Sequence, residues 1–411
     1  MTTQTRYFID PFGCVKNQVD AENMMAHLNS TGWENVSDAE QADVIIVNSC
    51  GFIESAKKES IAAVLEWRKL YPNKKILLAG CLAKRYGKEL AEILPEAEVT
   101  DTVSVTGTGK RPLLSMPGSA YVKISDGCNN NCSFCAIPLI RGSLVCRTIP
   151  DIIDECRTLL NRGIKELCII GQDIGAYTEK KKGLMELLKS ISALEGNFWV
   201  RLLYIHPDHF PLEILDLMER DKRILPYFDI PFQHASTKIL AAMNRRGNAK
   251  RYLELIKTIR AQLPDAIIRS TFLLGFPGET DEDFTELLDF QKKAKLDWLG
   301  CFAYSREEGT AAYAMKGRVA GKTAKMRKQT IEEQQVSITE KSMDRFTGKT
   351  LDVLIEEQID NFWLGRLYCQ APEIDGAAVI ISSEGKNVKP GDLTKCKIIA
   401  RRGFDLEVTV L

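Results

Sequence analysis

The chain has 411 residues, 45% of them hydrophobic, with 55 Lys+Arg against 55 Asp+Glu and a formal net charge of +0. That length bounds it to about two or three domains, and the composition excludes a disordered or collagen-like polymer. Charge balance argues against a protein living mainly on nucleic-acid phosphates. No apolar run is long enough to span a bilayer and no basic-then-apolar leader opens the chain, so no membrane partner and a cytoplasmic location are expected.

Residues 6–95 alternate between strand and helix patterns. Strands are expected at Arg6–Phe12, Asp43–Val47 and Lys75–Ala79, and helices at Asp20–Thr31, Ser55–Trp67 and Lys84–Leu94. Such alternation predicts a parallel sheet with helical crossovers. The stretch 100–119 (DTVSVTGTGKRPLLSMPGS) lacks periodicity and reads as a linker. A second run of six strands follows: Tyr121–Ser125, Glu166–Gly171, Trp199–Ile205, Tyr227–Pro231, Ala266–Leu274 and Trp298–Tyr304. Helical patterns such as Asp151–Asn161, Leu184–Leu194 and Glu282–Ala294 lie between them. Six units are too few for a closed eight-stranded barrel. A partial (βα)6 barrel, open on one side with room for a large substrate, is expected. Arg318–Phe346 reads as an exposed connecting helix. From Lys349 onward strands and turns predict a small all-β barrel of the oligonucleotide-binding (OB) kind. Residues 347–411 hold 8 Lys+Arg against 10 Asp+Glu, hence −2, which weakens an RNA-binding expectation for that module. The expected domains are therefore 1–105, a linker at 106–120, 121–346 and 347–411.

Cysteine is the unusual count, at twelve. In a reducing compartment these are not expected to form disulfides, so spacing decides between buried thiols and ligands. Cys128, Cys132 and Cys135 stand in SDGCNNNCSFCAIPLIRG, just after the first strand of the second run. Three thiolates on one loop can hold three irons of a cubane cluster, and Asn129, Asn130 and Asn131 tolerate the irregular backbone such a loop needs. A structural zinc site wants four ligands, and Cys146 lacks the paired spacing to supply one. The open fourth iron would be where a cofactor binds. Cys14, Cys50 and Cys81 each follow a predicted strand. Parallel strands bring their C-terminal ends to one sheet edge, where α/β ligands bind, so these three should converge on a second cluster. Cys146, Cys156, Cys168, Cys301, Cys369 and Cys396 read as ordinary thiols.

Cys-x-x-x-Cys-x-x-Cys with Phe134 before the third cysteine resembles the radical S-adenosylmethionine (SAM) enzymes. In that superfamily the open iron chelates the amino and carboxylate groups of SAM, and reduction yields a 5′-deoxyadenosyl radical. Two cysteine triads in this order followed by a small β module resemble the radical-SAM methylthiotransferases over nearly the whole chain. GCVKNQVDAENM, VNSCGFIESAKKES and GCNNNCSFCAIPLIRG carry the likeness. One branch modifies adenosine in tRNA (N6-isopentenyl- or threonylcarbamoyl-adenosine). The other, RimO-type, modifies an aspartate of ribosomal protein S-twelve, and NSCGFIESAKKES and SFCAIPLIRG look like that branch. The resemblance implies two 4Fe-4S clusters, two SAM molecules per turnover, a TRAM-like C-terminal module and an electron donor such as flavodoxin or ferredoxin. It makes ribosomal protein S-twelve the expected partner and tRNA an improbable one.

The resemblance also bears on smaller signals. Gly171, Gln172 and Asp173 stand where the superfamily has a Gly-Glu element near the SAM amino group. The strand before Gly275-Phe276-Pro277-Gly278-Glu279-Thr280 lines the SAM pocket in the family. From its own residues that segment is a turn into a helix capped by Thr280 with Asp283. Arg141 reads equally as a solvated charge or a ligand anchor. His206 and His234 read as structural histidines.

Overall fold

The computed structural model describes residues 4–100, 110–360, 362–382 and 388–411. The N-terminal unit contains β1 (Arg6–Pro11), α1 (Val15–Ser30), β2 (Val44–Ser49), α2 (Glu54–Leu70), β3 (Lys75–Gly80) and α3 (Cys81–Ile93). All its pairings are parallel, and two-residue strands at Glu34–Asn35 and Glu98–Val99 flank the order β1-β2-β3. Every residue of β2 is buried, as expected of a parallel strand covered by helices on both faces.

The second unit runs β4 (Ser119–Lys123), α4 (Ile137–Arg141), α5 (Ile149–Asn161), β5 (Glu166–Ile170), α6 (Leu184–Ser192), β6 (Trp199–Leu202), α7 (Ile214–Arg220), β7 (Ile224–Asp229), α8 (Thr237–Ala242), α9 (Ala249–Gln262), β8 (Ile267–Leu274), α10 (Asp281–Ala294), β9 (Trp298–Ala303) and α11 (Gly321–Asp344). Its six strands pair in parallel in the order β9-β8-β7-β6-β5-β4, so the barrel is partial as expected. The predicted linker lies partly outside the described residues, at 101–109. Its described part is packed: Arg111 is wholly buried between Glu22 of α1 and Glu155 of α5.

The C-terminal unit is a closed barrel of β10 (Thr350–Ile359), β11 (Phe362–Arg366), β12 (Ala378–Ser382), β13 (Leu393–Arg402) and β14 (Asp405–Val410). Alternation along the central strands explains where it sits. Ala120, Val122, Leu167 and Ile169 face the helices, while Tyr121, Cys168, Ile170, Tyr227 and Ile267 face the opposite way and pack with Leu354, Cys369 and Val408. Trp298 Nε1 donates to Cys369 O at 2.7 Å and Tyr227 Oη to Asp375 at 2.6 Å. The small barrel thus seals the sheet's second face toward the strands' N-terminal ends. The room expected for a large substrate is confined to their C-terminal ends.

Two other expectations change. α1 begins at Val15, directly after Cys14, five residues earlier than predicted. α11 is not an exposed connector, for it packs on the edge strand β9. Its buried face is mixed: Ala324, Ile331 and Met343 alternate with polar residues, Arg327 pairs with Glu279 at 2.6 Å, and Gln335 and Thr339 bond carbonyls of Leu296 and Asp297. Hydrophobic periodicity is weakened on such a face because polar residues interrupt the apolar ones.

A buried ion network joins the last two units. Glu166 receives Arg201 at 2.7 Å and Arg366 at 2.5 Å, and Arg366 also reaches Glu356 at 2.6 Å. Burial alone would raise Glu166, but the two guanidinium groups outweigh it and hold the carboxyl at about 2. Glu166→Gln leaves two buried cations undercompensated, and loss of about 3–5 kcal/mol in denaturant unfolding is expected. The folded value lies below the ordinary one of 4.5. The carboxylate's contribution is therefore complete above about pH 4.5 and fades as pH falls toward 2. Wild-type stability should decline across that window more steeply than that of the variant.

Candidate functional site

All six cysteines of the two triads line one cavity of about 310 Å³, at the C-terminal ends of the strands of both parallel sheets. Cys14 caps the N-terminus of α1, Cys50 directly follows β2, and Cys81 opens α3. Each strand delivers its cysteine to the same edge, as parallel pairing requires. Local backbone makes the approach possible. Gly13 has φ +92°, and a Cβ there would meet Cys50 Cβ at 3.0 Å. Gly80 has φ +90°, and a Cβ there would strike Ser49 O at 2.5 Å.

Asn17, one turn into α1, binds the three loops together. Its Nδ2 donates to Phe12 O at 2.6 Å and to Asn48 O and Ser49 O at 3.2 Å, while Oδ1 accepts from Cys81 Sγ at 3.5 Å. It is 1% exposed. Sequence reasoning missed Asn17, and only its place in GCVKN offered a signal.

The second triad lies on the loop between β4 and α4. Asn131 adopts φ +50° within it, in keeping with the tolerance expected of the asparagines. Asn130 Nδ2 donates to Asp173 at 2.8 Å and Asn129 accepts from Leu144 N at 3.0 Å, fixing the loop from two sides. Phe134 lines the cavity and meets Phe276 edge-on at 6.5 Å. Burial raises the thiols of Cys50 and Cys128, and lifts Cys81 to about 11 and Cys135 to about 12. At Cys14 burial is outweighed by the Lys16 ammonium and nearby backbone N–H groups, so that thiol falls below its usual range. Most of these thiols are therefore neutral near pH 7, and any metal bound by them would have to displace their protons.

The Gly171-Gln172-Asp173 turn divides. Gln172 lines the cavity, donating Nε2 to Asp126 at 3.2 Å, while its buried Oε1 has no donor among the described residues. Gly171 approaches Ser125 so closely that a Cβ would meet its hydroxyl at 2.7 Å. Asp173 is not among the lining residues. Its carboxylate accepts from Asn130, from the backbone of His206 and Gly175 at 3.1 Å, and from His209 at 2.6 Å. It braces the cysteine loop rather than facing the cavity. His209 was not foreseen because it lies in a loop after β6.

Arg141 is no solvated charge: its side chain is 5% exposed. It binds Asp20 of α1 at 2.8 Å, Asp126 at 3.1 Å and Cys81 Sγ at 3.2 Å, and so clamps the two units across the cavity. Asp126 would be raised by burial, but Lys123 and Arg141 hold it at about 2. A second clamp lies at Glu307, which takes Lys57 and Arg85 at 2.8 Å each. His206 lines the cavity, and burial lowers it to about 3. His234 is wholly buried, accepts from Ser236 N at 3.0 Å, and is likewise neutral. Thr280 and Asp283 form the expected capping box. Of the six other cysteines, five are buried and Cys146 is partly exposed.

Residues 6–101 match the family described as uncharacterized protein family UPF0004, 122–290 the radical SAM superfamily, and 347–411 the TRAM domain. The chain is 46% identical to the ribosomal protein uS12 methylthiotransferase RimO of Treponema denticola, over 98% of this chain and 100% of that protein. It is 39% identical to the protein of the same name from Carboxydothermus hydrogenoformans, over 98% of each. Among solved structures, the radical SAM methyltransferase TsrM of Kitasatospora setae, with cobalamin and a 4Fe-4S cluster bound, is similar at a TM-score of 0.56 and 14% identity. That match covers 76% of this chain and 77% of TsrM, and it concerns the fold alone.

Proposed function

The chain belongs to the uS12 methylthiotransferase (RimO) family of radical-SAM enzymes, and we infer from this that it attaches a methylthio group to the β-carbon of an aspartate in ribosomal protein uS12. The observation that carries the reading is the convergence of two cysteine triads on one cavity. A donor set of three soft thiolates suits an iron–sulfur cluster with one open iron. Cys128, Cys132 and Cys135 would hold the cluster that receives SAM, and Cys14, Cys50 and Cys81 an auxiliary one. When bound, the clusters and SAM supply the radical and the methylthio group. The protein's own residues bind, orient and exclude water.

Gln172 Oε1, buried without a donor, suits the ammonium of SAM. Phe134 lines the apolar side of the cavity, backed edge-on by Phe276. Asp173 holds the cysteine loop through Asn130. Asn17 holds the auxiliary loops, and the Arg141 and Glu307 clamps keep the two triads facing one another. We place the domain boundaries at 105, 120 and 346 and the protein in the cytoplasm, with a flavodoxin- or ferredoxin-like electron donor and no membrane. The count of −2 over residues 347–411 supports a protein substrate over tRNA.

Deletion of the gene tests this. The deleted strain should carry uS12 with an unmodified target aspartate, and restoring the gene should add a mass of CH2S to that residue. Added mass on tRNA adenosines instead, or no change in uS12, would refute the reading.

A further inference from the structure

We propose that Lys16 is the residue that binds the side-chain carboxylate of the target aspartate and so selects an acidic residue for modification. The proposal rests on the function given above. Lys16 lines the cavity shared by the two triads and is only 8% exposed. Its ammonium lies 3.2 Å from the centroid of the Tyr204 ring. No carboxylate among the described residues pairs with it. Beside it the Cys14 thiol, which it acidifies, is a sulfur and not a carboxylate partner. A buried ammonium without a carboxylate is costly, and the ring face offsets only part of that cost. Tyr204 itself is held at φ +68°, a conformation that bulky residues adopt only where surrounding structure enforces it.

The cavity's other cations are differently engaged. Arg141 is already paired with Asp20 and Asp126. Arg245 donates to Pro231 O at 2.6 Å and faces Cys132 Sγ at 3.8 Å, on the side of the SAM triad. Lys16 stands two residues from Cys14, on the auxiliary side.

The chemistry of the substrate supplies what the site lacks. An aspartate is ionised at neutral pH, and its carboxylate cannot enter a low-dielectric cavity without a partner. Its β-carbon is bonded directly to the carboxyl carbon. An ion pair to Lys16 would therefore hold the reacting carbon beside the Cys14, Cys50 and Cys81 triad. Because a neutral side chain would leave the buried ammonium without a carboxylate partner, the site would disfavour asparagine.

The test is anaerobic equilibrium binding of two probes to the reconstituted holoenzyme: uS12, and uS12 with its target aspartate changed to asparagine. Wild type should bind the aspartate form about tenfold or more tightly. Lys16→Met keeps the aliphatic stem over Tyr204 and should bind both probes equally. Lys16→Arg should restore part of the preference. Iron content is measured on each protein to separate a binding role from cluster support. Aspartate preference intact in Lys16→Met would overturn the proposal. So would intact preference with weakened equilibrium binding of SAM, which would assign the ammonium to the SAM carboxylate. Loss of iron from the variant would assign the ammonium to the cluster and overturn the proposal equally. If wild type neither binds uS12 nor distinguishes the two probes, the proposed function itself fails and the assignment with it.

Discussion

Changing Cys128, Cys132 and Cys135 together to alanine should remove about half of the iron bound by the reconstituted protein and reduce 5′-deoxyadenosine formation to background. The three thiols share one loop, which is fixed by Asn129 and Asn130 and not by contacts to the other triad. The auxiliary loops are tied to one another by Asn17 and lie on a separate sheet. Each triad is thus built by its own unit, and loss of one should leave the other able to bind metal. Iron and sulfide analysis with electron paramagnetic resonance of the reduced variant checks this. Loss of all the iron from this variant alone would mean that the sites are not independent.

The complementary variant, with Cys14, Cys50 and Cys81 all changed to alanine, should also lose about half of the iron, yet still cleave SAM reductively. Methylthiolated uS12 should be absent. On the proposed reading, radical formation needs the triad at the partial barrel, with Gln172 and Phe134 beside it, and none of these residues belongs to the N-terminal unit. On the same reading, sulfur transfer needs the triad on the opposite wall. Assay of 5′-deoxyadenosine and of modified uS12 in the same reaction separates the two roles. Methylthiolated product from this variant would leave the auxiliary triad without a part in transfer.

These expectations depend on features that are unequally visible in the sequence. The spacing around Cys128 places three cysteines on one loop, so their proximity can be read directly. Cys14, Cys50 and Cys81 are 36 and 31 residues apart, and they become legible only because parallel strands end on a common edge. The partial barrel and the closed β module follow from pattern and strand count. Contacts between units do not. The burial of Arg141 depends on Asp20, more than a hundred residues away, and the brace at Asp173 depends on His209. α11 buries Arg327, Gln335 and Thr339 among Ala324, Ile331 and Met343, and the polar members blur the hydropathy signal of that face. The β module covers the second face of the central sheet through residues such as Tyr121 and Ile170, whose burial a parallel strand would show in any case. The start of α1 is hard to read because Cys14 stands at the N-cap without a side-chain capping bond and Asn17, a poor helix signal, is engaged in tying the neighbouring loops.

On the proposed function, two cysteine triads facing one cavity let a single active site perform both radical formation and sulfur transfer on one aspartate. The most direct measurement is an anaerobic reaction of the purified, reconstituted protein with uS12, SAM and a reductant, followed by mass analysis of uS12 peptides and of the nucleoside products. The predicted result is a gain of CH2S on one aspartate, with one 5′-deoxyadenosine and one S-adenosylhomocysteine formed per modified residue. Unmodified uS12 alongside continuing 5′-deoxyadenosine formation, in a protein holding both clusters, would contradict it.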